Sequence, residues 1–246
     1  REKGLAAMAK KANRIAAEGI VAVEVAEDSK AASIVEVNSE TDFVAKNADF
    51  QAYVAKVAAQ ALDTKAENLE AFMAEAWLED AGLTVEQALS QKIAVIGEKL
   101  SIRRFQKVTA ENGVVTTYIH GGGKIGVVVE LETAADAAAV AECGKNVAMQ
   151  IAAMNPKYVD RSEVPADFIE HEKEILKVAA MNENPDKPEN IIDKMIIGRL
   201  NKELKEVCLV DQVYVKDGDL TVQKYVDSVA KEIGTPVKVK SFVRYE

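Results

Sequence analysis

The sequence predicts an α+β protein: two related subdomains, each a small antiparallel sheet flanked by helices, with an antiparallel coiled-coil hairpin protruding from the second. Three observations carry this. Apolar runs that read as hairpin strands recur at a fixed offset. An Ile-Gly pair followed by a strand closes each of two units. Two amphipathic helical stretches around a breaker-rich loop interrupt the second unit. Hairpins rather than strict strand–helix alternation argue against a doubly wound parallel sheet. At 246 residues and 48% apolar composition, the chain has ample material for a core.

In chain order, Leu5, Ala6, Met8 and Ala9 read as mid-helix without a leading Met, so residues 1–18 are expected to be a helical linker from a further N-terminal domain. Gly19-Ile20-Val21-Ala22-Val23-Glu24-Val25 and Ile34-Val35-Glu36-Val37 read as two strands of a hairpin. Helices are expected over Asp49 to Leu62 and over Asn68 to Leu100, the second broken near Gly82. Ile96-Gly97 then leads into the strand Leu100-Ser101-Ile102-Arg103-Arg104-Phe105, which closes a first subdomain over 19–109.

The pattern repeats. Gly113-Val114-Val115-Thr116-Thr117-Tyr118-Ile119 and Val128-Val129-Glu130-Leu131 reproduce the hairpin at an offset of 94 (113 minus 19). Val54, Val57 and Ala58 of the first helix correspond to Ala148, Ile151 and Ala152 of the second. Ile233-Gly234, ending a helix that begins at Thr221, leads into the closing strand Val237 to Val243. That pair lies at an offset of 137 (234 minus 97), so an insertion separates the second helix from its closing strand. Pro165 to Met181 sets Phe168, Glu172, Ile175 and Ala179 at coiled-coil spacing, and Ile192, Ile196, Leu200, Leu204 and Val207 recur at helical spacing. Asn182-Glu183-Asn184-Pro185-Asp186-Lys187-Pro188 is the loop between them, with Pro188 suited to a helix start. The second subdomain is therefore expected over 110–163 and 208–246, with the hairpin over 164–207. The apolar stripe of such a hairpin could pack on a partner, on a second copy or on its own body.

Composition excludes more than it identifies. A net charge of -9 argues against nucleic acid or an anionic membrane as the main partner. No apolar run reaches membrane-spanning length, and Arg1-Glu2-Lys3 is not followed by a signal-peptide core. Cys143 and Cys208 form no paired motif, which fits a reduced cytoplasmic compartment.

Residues that could do chemistry are few. His120 and His171 have no ligand partners at metal spacing. His120-Gly121-Gly122-Gly123-Lys124 lacks the phosphate-loop spacing and lies between strands, so a hairpin turn accounts for it. Glu36, Glu40 and Asp42 are explained by strand alternation and a helix cap rather than by acid–base work. Lys10, Lys11 and Arg14 read as solvated surface. No nucleophile, metal site or cofactor site emerges, and the chain is expected not to be an enzyme.

One segment stands out. Thr41-Asp42-Phe43-Val44-Ala45-Lys46-Asn47 follows a strand and opens a helix. Thr41 can cap the orphan N–H groups and Asp42 suits the positive end of the helix dipole. Phe43 beside it is either a core anchor or an exposed aromatic that meets a partner. At the offset of 94 its counterparts are Ala135, Asp136 and Ala137, so the second unit has the acid without the aromatic.

This string, with Ala16-Ala17-Glu18-Gly19, Ile102-Arg103-Arg104, His120-Gly121, Ile125-Gly126-Val127 and Phe242-Val243-Arg244-Tyr245-Glu246, closely resembles the bacterial elongation factor Ts family over essentially the whole chain. The resemblance implies a guanine-nucleotide exchange factor for the GTPase elongation factor Tu, with no cofactor of its own. It implies that Thr41, Asp42, Phe43 and Val44 enter the GTPase near its switch region and disturb its Mg²⁺ site. It implies that Ile125, Gly126 and Val127, at a hairpin tip, contact another domain of the GTPase. A missing N-terminal domain fits this plan, and a homodimer is expected separately, from the apolar stripe of the helical hairpin. One departure is Gln150, which stands where some members have a contacting His. The rival readings are an interaction scaffold or chaperone-like partner acting through the hairpin, and a hydrolase or transferase built on the Gly-rich turn.

Overall fold

The computed structural model describes residues 2–246. After α1 (Glu2–Lys11), strand β1 (Glu18–Val25) pairs antiparallel with β2 (Ala31–Ser39), Gly19 opposite Asn38 and Val25 opposite Ala32. The other edge of β2 pairs antiparallel with β5 (Ser101–Thr109), with a bulge between Glu36 and Val37. A second sheet takes the order β6-β7-β8 from β6 (Gly113–His120), β7 (Ile125–Thr133) and β8 (Val237–Tyr245). β7 repeats β2 at the offset of 94 (125 minus 31) from its first residue to its last. The repeat has a steric root. A Cβ on Gly19 would collide with the Val37 carbonyl oxygen, and one on Gly113 with that of Leu131, so each hairpin opens on a residue without a side chain.

The chain divides into two compact units, one running up to Ala152 and including Lys238–Glu246, the other Ala153–Val237. In the first unit β2 is covered on both faces. Val35 and Val37 join Phe50, Val54, Val57, Phe72, Trp77, Leu89 and Ile93 in one buried cluster. Ala32 and Ile34, pointing the other way, join Val21, Val115, Val128 and Tyr245 in a second cluster between the sheets. That is why β2 reads as an apolar run rather than a clean alternation.

The stretch expected as helix over 68–100, broken near Gly82, is instead four elements. α4 (Leu69–Ala74) is followed by a short hairpin of β3 (Ala76–Trp77) and β4 (Asp80–Thr84), then by α5 (Val85–Ile96). The cause is a side chain from α3 (Ala48–Asp63). Gln60, wholly buried, donates to the Ala76 carbonyl at 3.0 Å and accepts from Leu78 N–H at 2.8 Å. Those two bonds satisfy the hairpin backbone where a helix would otherwise continue. A capping box between Thr84 and Gln87 then restarts the helix.

In the second unit α7 (Ala166–Glu183) and α8 (Glu189–Val207) follow Pro165 and Pro188, which occupy their cap positions. Ala180 packs with Ile192 and Ile196 near the loop, and Val164, Phe168 and Ile169 pack with Leu200 and Leu204 at the other end, so the helices are antiparallel. The predicted stripe on α8 is buried. On α7 its phase differs: the packed residues are Phe168, Leu176 and Ala180, while Ile175 stays exposed. Both faces step mainly by four, with Ile169 on α7 and Met195 and Val207 on α8 packed beside them at other spacings. α6 (Ala137–Met154) lies in the first unit up to Ala152, and α9 (Val222–Ile233), ended by Gly234 in a left-handed conformation, in the second.

Candidate partner-binding site

Where β2 leaves its sheet at Ser39, the chain turns through Glu40 and Thr41 into α2 (Asp42–Ala45), a single helical turn. Thr41 is its N-cap, and its Oγ1 accepts from the Val44 N–H at 3.3 Å. Asp42 lies in the first turn, 3.6 Å from Lys46 across one exposed turn. Asn47 then caps α3 by accepting from the N–H groups of Asp49 and Phe50. The turn is anchored by Ala45, which is buried, and by Val44, which packs on the cluster containing Phe50. Phe43 takes no part in that anchoring. It is 83% exposed, which removes the reading of Phe43 as a core residue.

A turn this short is not stable alone, and the structure holds it from a distance. Glu98, one residue past the left-handed cap Gly97 of α5, accepts from the N–H groups of Glu40 and Thr41, each at 3.1 Å, and from the Thr41 hydroxyl at 2.7 Å. In return Glu40 accepts from the Lys99 N–H at 3.1 Å, and Arg14 approaches the same oxygen at 3.5 Å. Arg14, read from sequence as solvated surface, is therefore tied to this junction. Among the described residues no group of three or more His, Cys, Asp or Glu is arranged to hold a metal ion.

The segment Ile125, Gly126 and Val127 opens β7 directly after the glycine turn, where Gly121, Gly122 and Gly123 have φ values of 62°, 68° and 109°. Gly126 and Val127 are buried and Ile125 is half-buried. The exposed part of this tip is Ile119 to Gly122 and Lys124. The turn lies against the first sheet, the Gly123 carbonyl accepting from Val21 N–H at 2.7 Å. Gln150 is wholly enclosed within α6. The two predicted segments thus share the first unit without a hydrogen bond between them among the described residues.

The model of the family described as Elongation factor TS matches residues 40–246 of the chain. The chain belongs to the elongation factor Ts family. It is 56% identical over 246 residues to "Elongation factor Ts" of Clostridioides difficile (strain 630), covering 100% of this chain and 80% of that protein. It is 50% identical to "Elongation factor Ts" of Clostridium tetani (strain Massachusetts / E88) and of Clostridium botulinum (strain Eklund 17B / Type B), at the same coverage. The chain is thus a translation elongation factor of the elongation factor Ts family. Among its described residues no helix is long and apolar enough to cross a membrane.

Two features of this elongation factor Ts chain escape sequence reading. Glu98 follows the Ile96-Gly97 signal and reads as a solvated glutamate; its partners lie 57 and 58 residues away. Glu36, taken from sequence as an alternating strand residue, is a buried carboxylate held by Arg104 at 2.7 Å and Arg103 at 3.0 Å.

Proposed function

We propose that this chain is a guanine-nucleotide exchange factor for elongation factor Tu, acting in the cytoplasm, with Thr41, Asp42, Phe43 and Val44 as the element that enters the GTPase. The observation that carries the reading is a large aromatic, 83% exposed, on a capped and anchored turn in a chain of this family. Phe43 acts as an apolar wedge, and Asp42 beside it supplies charge and hydrogen-bond acceptors. Thr41 and Val44 serve from behind, one as cap and the other as packing. At the glycine-turn tip, Ile125 carries the second contact, and Gly126 and Val127 shape the strand that presents it.

The mechanism is linkage. A GTPase holds GDP through Mg²⁺ and its phosphate loop, and a factor that prefers the nucleotide-free form must weaken GDP by the same factor. The wedge and the Mg²⁺-ordered switch compete for one space, so release quickens without any covalent chemistry on this chain. Stopped-flow release of fluorescent GDP from elongation factor Tu tests this. The chain should accelerate release, and Phe43→Ala, which removes no packing, should keep its melting temperature while slowing release at least tenfold, about 1.4 kcal/mol. Equal rates with and without the chain refute the exchange reading.

A second reading, contact through the helical hairpin, is favoured by the exposed Ile175, Val178 and Met181 on α7. Their occupant in this reading is a second copy of the chain.

A further inference from the structure

We propose that Glu98 is a positioning residue for the Phe43 turn, fixing the wedge before any partner arrives. The inference rests on the exchange reading above. β2 releases its backbone at Ser39, and α2 is four residues long, so Glu40 and Thr41 carry N–H groups with neither sheet nor helix to receive them. One carboxylate receives both, Glu98 Oε1 at 3.1 Å from each. Its other oxygen takes the Thr41 hydroxyl proton at 2.7 Å. That bond decides how the hydroxyl is oriented: with its proton committed to Glu98, the oxygen's lone pairs face the Val44 N–H, which it caps at 3.3 Å. Glu98 therefore acts on both ends of the turn that displays Phe43, directly on the entry and through Thr41 on the first helical bond.

The contact is reciprocal. Glu40 accepts from Lys99 N–H at 3.1 Å, so two adjacent residues on each strand of the junction exchange bonds, and Ser39 Oγ donates to the Thr41 carbonyl at 3.0 Å. Lys99 reaches further, its Nζ donating to the Ala12 carbonyl at 2.8 Å. Glu98 itself is placed by a rigid feature, the left-handed Gly97 that terminates α5 with its N–H on the Ile93 carbonyl. Phe43 contributes nothing to holding its own turn, so without the Glu98 carboxylate the exposed ring would be displayed by a frayed segment. An aromatic that must be ordered on binding binds and acts less well than one already in place.

The test uses four versions of the full chain: unaltered, Glu98→Ala, Phe43→Ala and the double variant. Each is measured for melting temperature, for affinity to elongation factor Tu and for the GDP-release rate at saturating factor. Glu98→Ala should lower the saturating rate about tenfold, and adding it to Phe43→Ala should change that rate less than twofold, because both act through one ring. Glu98→Gln, which keeps an oxygen for the two N–H groups but sets an N–H donor in place of the acceptor of the Thr41 hydroxyl, should recover part of the rate and serves if the alanine variant folds poorly. A purely architectural glutamate would lower the melting temperature and add its full effect on the Phe43→Ala background; that result overturns the proposal, as does an unaltered rate in Glu98→Ala. If Phe43→Ala itself releases GDP as fast as the unaltered chain, the wedge reading fails and takes the positioning role with it. If only the Glu98 variants are silent, the wedge stands and the positioning role does not.

Discussion

Glu36 carries a charge at 5% exposure, on a strand covered from both sides. Burial acts to raise its carboxyl pKa, but hydrogen bonds from Arg103, Arg104 and Asn38 outweigh that and hold it below the usual carboxylate value. A folded-state pKa below the unfolded one adds stability above the unfolded value near 4.5, and that stability disappears as pH falls through the lower folded value. Glu36→Gln should therefore destabilise the chain by about 2 kcal/mol at pH 7, a modest figure because both arginines are partly exposed and can be rehydrated. Urea unfolding at pH 7 and pH 3 checks it: the gap between the two proteins should shrink in acid, and a gap independent of pH would rule out the carboxylate as its source. Arg104 also stacks over the Tyr245 ring at 3.9 Å, so part of its worth is not charge at all. Thr41 and Asp42 were legible from sequence because cap chemistry is local, whereas Phe43 stayed open between core and surface until its exposure was seen. Glu36 was legible only as a strand residue and Glu98 not at all, because what each does depends on partners brought close by the fold.

At the scale of elements, helices with long apolar spacing and a clear end signal fall where the residues place them: α7 and α8 behind Pro165 and Pro188, α9 before Gly234, and α3 behind its Asn47 cap match the sequence reading within a few residues. The β3–β4 hairpin did not show, since it owes its backbone satisfaction to Gln60 on another helix. The α7 face was misphased for a related reason. A heptad reading takes Ile175 and Ala179, whereas packing against α8 uses Leu176 and Ala180 and leaves Glu172 on the same line, where it meets Glu203. Burial, then the hydrogen bond and like charge of Glu172, then Glu206, raise the Glu203 carboxyl above its usual value. A raised folded-state value has the opposite sign to Glu36: its contribution is present below the unfolded value and is lost as pH rises through the folded one. The charged form of Glu203 is thus disfavoured in the fold, by burial first and by the neighbouring Glu172 after it. Glu203→Gln should raise the melting temperature of the chain at pH 7, and the gain should shrink as pH falls and Glu203 takes up its proton. A lower melting temperature for the glutamine variant at pH 7 would mean the pair is not repulsive.

Across the whole molecule, the duplication extends to chemistry. Glu130 on β7 is the counterpart of Glu36 at the offset of 94 (130 minus 36), buried like it. At the closing-strand offset of 137, Lys240 and Ser241 on β8 correspond to Arg103 and Arg104 on β5: Lys240 lies 3.9 Å from Glu130, and Ser241 donates a hydrogen bond to it at 3.0 Å. The two halves keep a shared scaffold of sheet and buried carboxylate with a partly exposed basic partner, and they differ at the junction after β2, where only the first half carries Phe43. Sequence offsets revealed the scaffold; the separation of labour had to be read from exposure. The helical hairpin lies within the unit Ala153–Val237, and Phe43 with its junction lies in the other. The two ends of the hairpin are also close together, since Tyr158 bridges Cys208 and Val164 packs with Cys208 in one cluster. Replacing 164–207 by a short Gly-Ser linker should therefore leave the cooperative melting of the sheets and the Phe43-dependent release of GDP in place. Light scattering on the same pair of proteins addresses the apolar stripe of Ile175, Val178 and Met181: a dimer in the unaltered chain and a monomer in the deletion assigns self-association to the hairpin. Monomers in both, at concentrations well above those used for exchange, would leave the stripe without a second copy to cover it and dispose of the homodimer.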